Sequence, residues 1–372
     1  HRSHVRKVSR QHEVKALQDY VCHLKYRKLF IDYKNFAIYM KLSDFSEIEL
    51  IGRISRKIKL FSKGIVKGIG DDAAVINYDK NYYLLLTTDS LVQNVHFSKF
   101  FTPEQIGMKA VEINVSDIAA MGGFPKYALV SLIIPKRANI EFIDKLYNGI
   151  NNAAKKYKIS IIGGNLSNGK EISVTITMLG FVEKRNLRLR SDAKANDLIA
   201  VTGNLGASAA GLQLLKAKMK GSSINYHLNP KSRLNAARLL AKNGINAMED
   251  ISDGLAAEVR NICNESKTGA AIYKEKIPIS KNTIKDSKKV KKDPYDLALY
   301  GGEDYELVFT VNKNQLNNLK NKKINNKIKN NGKNKINFTI VGKILPKKDG
   351  IFLLDQSKKT KLNHGYDHFK GN

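Results

Sequence analysis

Cysteine is nearly absent: Cys22 and Cys263 stand 241 positions apart in a chain of 372 residues. With no CxxC spacing they make neither a disulfide framework nor a structural zinc site, and such sparing use suits a reducing, cytoplasmic setting. Long hydrophobic runs are missing too. The best stretch, residues 127–134, is eight long and contains Ser131, far short of the ~20 residues a membrane-spanning helix needs. Acidic residues are scarce, with 34 Asp and Glu against 64 Lys and Arg, a formal net charge of +30. There is no GxSxG elbow, HExxH pair, HRD or DFG set, or GxxxxGK[ST] loop, and no GxGxxG follows a strand. That removes the α/β-hydrolase, zincin, protein-kinase, P-loop and dinucleotide-fold signatures.

What remains is a chain with a real core. Apolar residues make up 42% and charged residues 26%, which excludes disorder throughout, and the length suits two lobes. The positive charge is concentrated. Residues 1–39 carry a net +6, residues 281–293 a net +4, and residues 312–337 a net +8. In the last tract 19 of 26 residues are Lys or Asn, a compositional bias rather than a patterned binding face, so no specific nucleic-acid partner is expected. The lead, residues 1–39, has no apolar signal region. Met40 directly precedes regular patterning, so the lead is expected to lie upstream of the natural start, with a basic targeting or RNA-binding arm as the alternative.

From Gly68 onward the punctuation is informative. A β-type run spans 82–88. Thr102-Pro103-Glu104-Gln105 is a capped helix start, and that helix should end at Gly122-Gly123. A strand over 127–134, a helix over 140–157, a strand over 160–162, a turn at Gly163-Gly164-Asn165 and a β-run over 172–182 follow, with a boundary at 183–186. The second half restarts with a strand at 197–201, a loop at 203–206 and a helix from Ala207. Asn229-Pro230 should open another helix that Gly244 stops, and a third should run from Asp253-Gly254 to about Ser266. Strands and helices mix in both halves, so the class is α/β or α+β with two lobes.

The few acids sit beside small residues: Gly70-Asp71-Asp72-Ala73-Ala74, Thr87-Thr88-Asp89-Ser90, Val115-Ser116-Asp117-Ile118, Asp250-Ile251-Ser252-Asp253-Gly254 and Gly301-Gly302-Glu303-Asp304-Tyr305. Carboxylates at strand ends and glycine turns suit Mg²⁺, which wants hard oxygens and shares its sphere with water and phosphate. Each acid alone reads more readily as a helix cap or a buried salt-bridge partner, whereas the five clusters together favour metal. Asp117 shares a helical face with Ile106, Ala110 and Ile113, so a cation should accompany it. The residues by themselves point to metal-dependent phosphate chemistry on an open substrate.

The clusters, taken in order with Gly68-Ile69-Gly70, Leu91-Val92, His96-Phe97, Asn114, Ala119-Ala120-Met121-Gly122, Ile162-Gly163-Gly164, Val201-Thr202-Gly203, Leu255, Glu306-Leu307 and the closing Gly365-Tyr366-Asp367-His368-Phe369, resemble the thiamine-monophosphate kinase family from about residue 40 to 369. The resemblance implies the two-lobed fold shared with aminoimidazole ribonucleotide synthetase. Its N-terminal lobe (40–184) would pair with a second copy through a β-barrel interface, giving a homodimer, and its C-terminal lobe (185–372) would be α/β. It implies phosphorylation of thiamine monophosphate to thiamine diphosphate by ATP, through direct in-line transfer with several Mg²⁺ ions and no acid–base residue. By position, Asp72, Thr87, Thr88, Asp89, Asp117, Asn165, Asp250 and Asp253 correspond to the metal set. Gly164, Asn165, Arg190, Ser252 and Tyr147 correspond to ATP contacts, and His96, Glu303 and Tyr366 to contacts with the thiamine phosphate.

That division of labour is physically sensible, since phosphoryl transfer asks mainly for positioning and charge neutralisation. Arg190 would offer a planar donor to phosphate oxygens, and Tyr366 an aromatic face to a cationic thiazolium. One departure is plain: Asn165 stands where the family usually has Asp, followed by Leu166-Ser167-Asn168 in place of Thr-rich sequence. The rival readings are another ATP-dependent enzyme of the same superfamily, of the aminoimidazole ribonucleotide synthetase or hydrogenase-maturation type, and a basic nucleic-acid-binding protein.

Overall fold

A computed structural model describes residues 41–325, 336–362, 365–367 and 369. The lead at 1–39 and the middle of the Lys/Asn tract lie outside the described residues. The chain divides into two units, 1–58 with 367–372, and 59–366. In the first unit, α1 (Glu47–Ser55) opens on a capping box: the Ser46 hydroxyl accepts from the Glu49 amide and the Glu49 carboxylate from the Ser46 amide.

The second unit holds two open mixed sheets. The first contains β1 (Ile65–Lys67), β2 (Ala74–Asn77), β3 (Tyr82–Val92), β4 (Phe124–Ile134), β5 (Ser160–Asn168) and β6 (Ser173–Glu183), in the order β1-β2-β3-β6-β4-β5. Only β4 and β5 run parallel, because α3 (Ile140–Tyr157) carries the chain back between them. The helix before it, α2 (Pro103–Ala120), begins as its sequence requires, with Thr102 capping and Pro103 in the first turn. Along β6 the buried residues Val174, Ile176, Met178 and Val182 alternate with half-exposed ones, so one face of this sheet packs a core. α2 is buried almost all round, through Ile106, Val111, Val115, Ile118 and Ala119. It can approach α3 closely because Gly149 has no side chain: a Cβ there would lie 2.0 Å from the Glu104 carbonyl oxygen.

The second sheet takes β7 (Leu198–Thr202), β8 (Met248–Asp250), β9 (Thr268–Tyr273), β10 (Leu307–Val311), β11 (Phe338–Pro346), β12 (Ile351–Asp355) and β13 (Lys358–Lys361), in the order β13-β12-β9-β11-β7-β10-β8. Its helices include α4 (Ala207–Lys216), α5 (Ile224–Leu228), α6 (Leu234–Lys242) and α7 (Leu255–Ser266). Among the described residues no helix is long and apolar enough to cross a membrane.

Three expectations are corrected. The first β-run does not stop at Thr88 but continues to Val92. Gly163-Gly164-Asn165 is not a turn; it runs inside β5 in register with Leu129, Val130 and Ser131. The helix expected from Asn229-Pro230 starts only at Leu234, because the Glu112 carboxylate takes the Ser232 amide at 2.8 Å and holds the preceding turn out of the helix.

Candidate active site

The C-terminal part of α2 delivers the central acid. Asp117 Oδ2 accepts a hydrogen bond from Thr87 Oγ1 at 2.6 Å. Strand alternation turns Asp89 to the same side as Thr87, and its carboxyl hydrogen-bonds that of Asp117. The adjacent Ser116 Oγ donates to Asp250 Oδ2 at 2.5 Å, at the end of β8. Asp72 stands close enough to both Asp117 and Asp250 to repel them. Burial pushes the carboxyls of Asp72, Asp89, Asp117 and Asp250 above their usual range, and their mutual repulsion pushes Asp117 and Asp250 further.

The cation expected beside Asp117 is not there among the described residues; Thr87 and the neighbouring acids surround it instead. Arg190 is the local cation, and it is already engaged. Its Nη2 lies 2.5 Å from Asp72 Oδ1 and 2.9 Å from Glu249 Oε1, and its amide donates to Asp71 Oδ2 at 3.2 Å. Even so, Asp72 Oδ2 and Glu249 Oε2 are buried without a hydrogen-bond partner. The loop after β8 is tied down by Glu258, whose Oε1 accepts from the amides of Ser252 at 3.2 Å and Asp253 at 2.7 Å. The Asp253 carbonyl in turn accepts from the Tyr366 amide at 3.2 Å.

Hard carboxylate oxygens, Asp72 Oδ2 among them without a hydrogen-bond partner, are the right chemistry for Mg²⁺. Among the described residues no three His, Cys, Asp or Glu side chains close on one point as a ready-made metal centre. A cation held here would have to complete its sphere with water and phosphate oxygens, as Mg²⁺ commonly does.

A second cluster adjoins the acids. In the turn over 301–305, Glu303 and Tyr305 both adopt left-handed backbone, at φ 66° and 49°, a strained choice for side chains of this size. Backbone bonds enforce it, from the Glu303 amide to the Ser252 carbonyl at 2.6 Å and from the Tyr305 amide to the Ile251 carbonyl at 2.9 Å. Glu303 meets Lys109 Nζ at 2.5 Å and His227 Nδ1 at 3.1 Å. Burial alone would raise its pKa, but these two partners hold it down at about 2. Lys109 also donates to the His96 carbonyl at 2.9 Å. Tyr305 is buried, and its phenol is pushed up first by burial and then by Glu303, Asp89, Asp250 and Asp253. One ring thus links the two clusters.

Other positions stay apart. The side chain of Thr88 is on the opposite face of β3, 3.0 Å from Thr177 Oγ1. Asn165 is exposed on β5, its amide donating to Ser167 Oγ at 3.0 Å. Gly164 has φ 157°, and a Cβ there would lie 1.8 Å from the Val130 carbonyl oxygen. Tyr147 packs against the first core.

Two sequence profiles match the chain: AIR synthase related protein, N-terminal domain, over residues 70–182, and AIR synthase related protein, C-terminal domain, over 194–326. The thiamine-monophosphate kinase of Buchnera aphidicola subsp. Acyrthosiphon pisum is 39% identical over 333 residues, covering 87% of this chain and 99% of that protein. The chain belongs to the thiamine-monophosphate kinase family. Solved structures agree: AaThiL complexed with AMPPCP and TMP superposes with a TM-score of 0.76 at 33% identity, over 88% of this chain and 99% of that one. Thiamine monophosphate kinase from Aquifex aeolicus gives a TM-score of 0.70 at 32% identity, over 87% and 100%.

Set against the family motifs, the structure adds Lys109, His227, Glu249 and Glu258 to the site, and brings Tyr305, already within the Gly301–Leu307 motif, between the two clusters. Lys109 left a signal in the sequence: with Glu112, it is one of two charges in the mainly apolar stretch Ile106–Ile113 of α2. His227 and Glu249 are recruited across long sequence separations, whereas Glu258 lies close in sequence to the Ser252 and Asp253 amides it fixes.

Proposed function

We propose that this protein transfers the γ-phosphoryl group of ATP to thiamine monophosphate, giving thiamine diphosphate. The observation that carries the reading is the juxtaposition of four mutually repelling acids, Asp72, Asp89, Asp117 and Asp250, the last of them buried and the others half-buried, with the anchored Glu303. Acids crowded in this way call for a divalent cation before phosphate-bearing ligands can enter. Asp72, Asp89, Asp117, Asp250 and Asp253 would hold Mg²⁺, with Thr87, Thr88 and Asn165 as further ligands by family position. When bound, the metal offsets the repulsion between two phosphate-bearing ligands.

The rest of the work falls to the protein. Ser252, Arg190, Gly164, Asn165 and Tyr147 would contact ATP, and His96, Glu303 and Tyr366 the thiamine phosphate. Arg190 restrains Asp72, and Glu258 fixes the Ser252–Asp253 backbone, so the carboxylates are held before substrate binds. No general base is needed, because a phosphate monoester with a second pKa near 6 is already ionised at neutral pH.

The assembly belongs to the same proposal. β5 ends its sheet with its residues exposed, including Ile162 at 58% and Leu166 at 66%, and Leu129 and Ile133 of β4 are also open to solvent. An exposed apolar edge strand invites pairing, and a second copy would cover it and close the barrel of the homodimer. We set the lobe boundary at 184/185, just after β6 ends at Glu183, and the setting as cytoplasmic. The test is coupled ADP release with thiamine monophosphate or the aminoimidazole precursor as acceptor. Turnover with the first alone supports the reading; turnover with the second alone would replace it with the rival superfamily activity.

A further inference from the structure

We infer that Lys109 and His227 are positioning residues for substrate recognition: together they fix both oxygens of the Glu303 carboxylate, and Lys109 locks that carboxylate to the His96 carbonyl. This rests on the reading above, in which Glu303 and His96 contact the thiamine phosphate.

The geometry of Lys109 is the starting point. A lysine on a helix ordinarily carries its ammonium out to water along its flexible stem. Here the side chain is 0% exposed. Two of its three donors are used, on Glu303 Oε1 at 2.5 Å and the His96 carbonyl at 2.9 Å, and the ammonium lies 5.2 Å from the Phe101 ring centroid. On the other side, His227 Nδ1 approaches Glu303 Oε2 at 3.1 Å, and its ring packs edge-on against Phe101 at 5.4 Å between centroids. Lys109 comes from α2 and His227 from α5, so a carboxylate on a third segment is held from both sides.

A bridge serving only stability would not need what is seen at Glu303. Its backbone is left-handed at φ 66°, and its side chain keeps 24% of its surface open. Each carboxylate oxygen accepts about two hydrogen bonds, and the protein takes one at each. A lone-pair position on each oxygen is thus left for a donor on the ligand. Lys109 also couples that carboxylate to the loop bearing His96, so both thiamine-phosphate contacts are set by one buried charge. The ATP side, at Ser252 and Arg190, receives no hydrogen bond from Lys109 or His227.

The full chain is assayed with ATP and thiamine monophosphate titrated separately, and melting temperatures are recorded alongside. Lys109→Met should raise KM for thiamine monophosphate about tenfold, the loss expected for one charge-assisted hydrogen bond. KM for ATP should stay within about twofold. His227→Gln should raise the same KM about threefold, and it carries the test if Lys109→Met does not fold. Because Lys109 acts through Glu303, Lys109→Met combined with Glu303→Gln should bind thiamine monophosphate no worse than Glu303→Gln alone. A parallel rise in both KM values, or effects that multiply in the double variant, would reduce Lys109 to a structural bridge and overturn the inference. A parent protein that turns over only another acceptor would overturn the functional reading first, and the inference with it.

Discussion

Asp117→Asn should make the protein more stable and much less active. In the parent, Asp117 meets Thr87 Oγ1 at 2.6 Å and shares a hydrogen bond with Asp89, with Asp72 and Asp250 nearby. Asparagine is isosteric and suits both neighbours: its carbonyl still accepts from Thr87 and its amide donates to Asp89. What disappears is charge. Two like unit charges 4 Å apart repel by about 4 kcal/mol at an effective dielectric near 20. Burial raises both carboxyls above their usual range, which lessens the charge they carry, so the relief should be discounted to about 1–2 kcal/mol. At about 2–4 °C per kcal/mol, metal-free Asp117→Asn should melt roughly 2–8 °C above the parent. With saturating ATP and Mg²⁺, kcat should fall about 100-fold, close to 2.7 kcal/mol of lost transition-state stabilisation. Calorimetry in chelator and a steady-state assay give the two numbers. A lower melting temperature with full activity would refute both halves of the reasoning, and a higher one with full activity would remove Asp117 from the chemistry.

Other outcomes are equally concrete. Arg238 forks onto Glu183 at 2.6 and 2.8 Å and holds its carboxyl at about 2, below its ordinary 4.5. The stabilisation is therefore complete above pH 4.5 and lost as pH falls through about 2; Glu183→Gln should lower the melting temperature at pH 7, with the gap from the parent closing toward pH 2. Gly164→Ala would drive a Cβ to 1.8 Å from the Val130 carbonyl, so it should loosen the β4–β5 pairing, and hydrogen exchange along 160–168 should accelerate at least tenfold, equivalent to about 1.4 kcal/mol of local opening. Asn165→Asp should lower the Mg²⁺ concentration for half-maximal activity about tenfold, since one added carboxylate strengthens metal binding by roughly 1–2 kcal/mol; superimposable titrations would mean that position 165 does not touch metal.

Much of the frame was legible because its signals are local. Thr102-Pro103 and Gln105 specify the start of α2, and the helix puts Asp117 on the face of Ile106, Ala110 and Ile113 through its 3.6-residue period. The spacing of small residues and acids also picked out Asp72, Asp89 and Asp250. The extension of β3 to Val92 has a related consequence: period-two alternation puts the Thr88 hydroxyl on the far face from Asp89, beside Thr177. Gly163-Gly164 resembles a turn by composition, yet the absent side chains serve strand pairing. The pairings that set the electrostatics were out of reach. Arg190 meets Asp72 across 118 positions, and Lys109 meets Glu303 across 194. No local pattern encodes such partners, and only closure of the fold decides that Arg190 restrains an acid.

The most direct test is to incubate the full chain with thiamine monophosphate, γ-labelled ATP and MgCl₂, separate the products by chromatography, and count the label. The account predicts labelled thiamine diphosphate and ADP in equal amounts, with none formed in excess chelator. ADP release without label in thiamine diphosphate, or no turnover of thiamine monophosphate at any Mg²⁺ concentration, would contradict it.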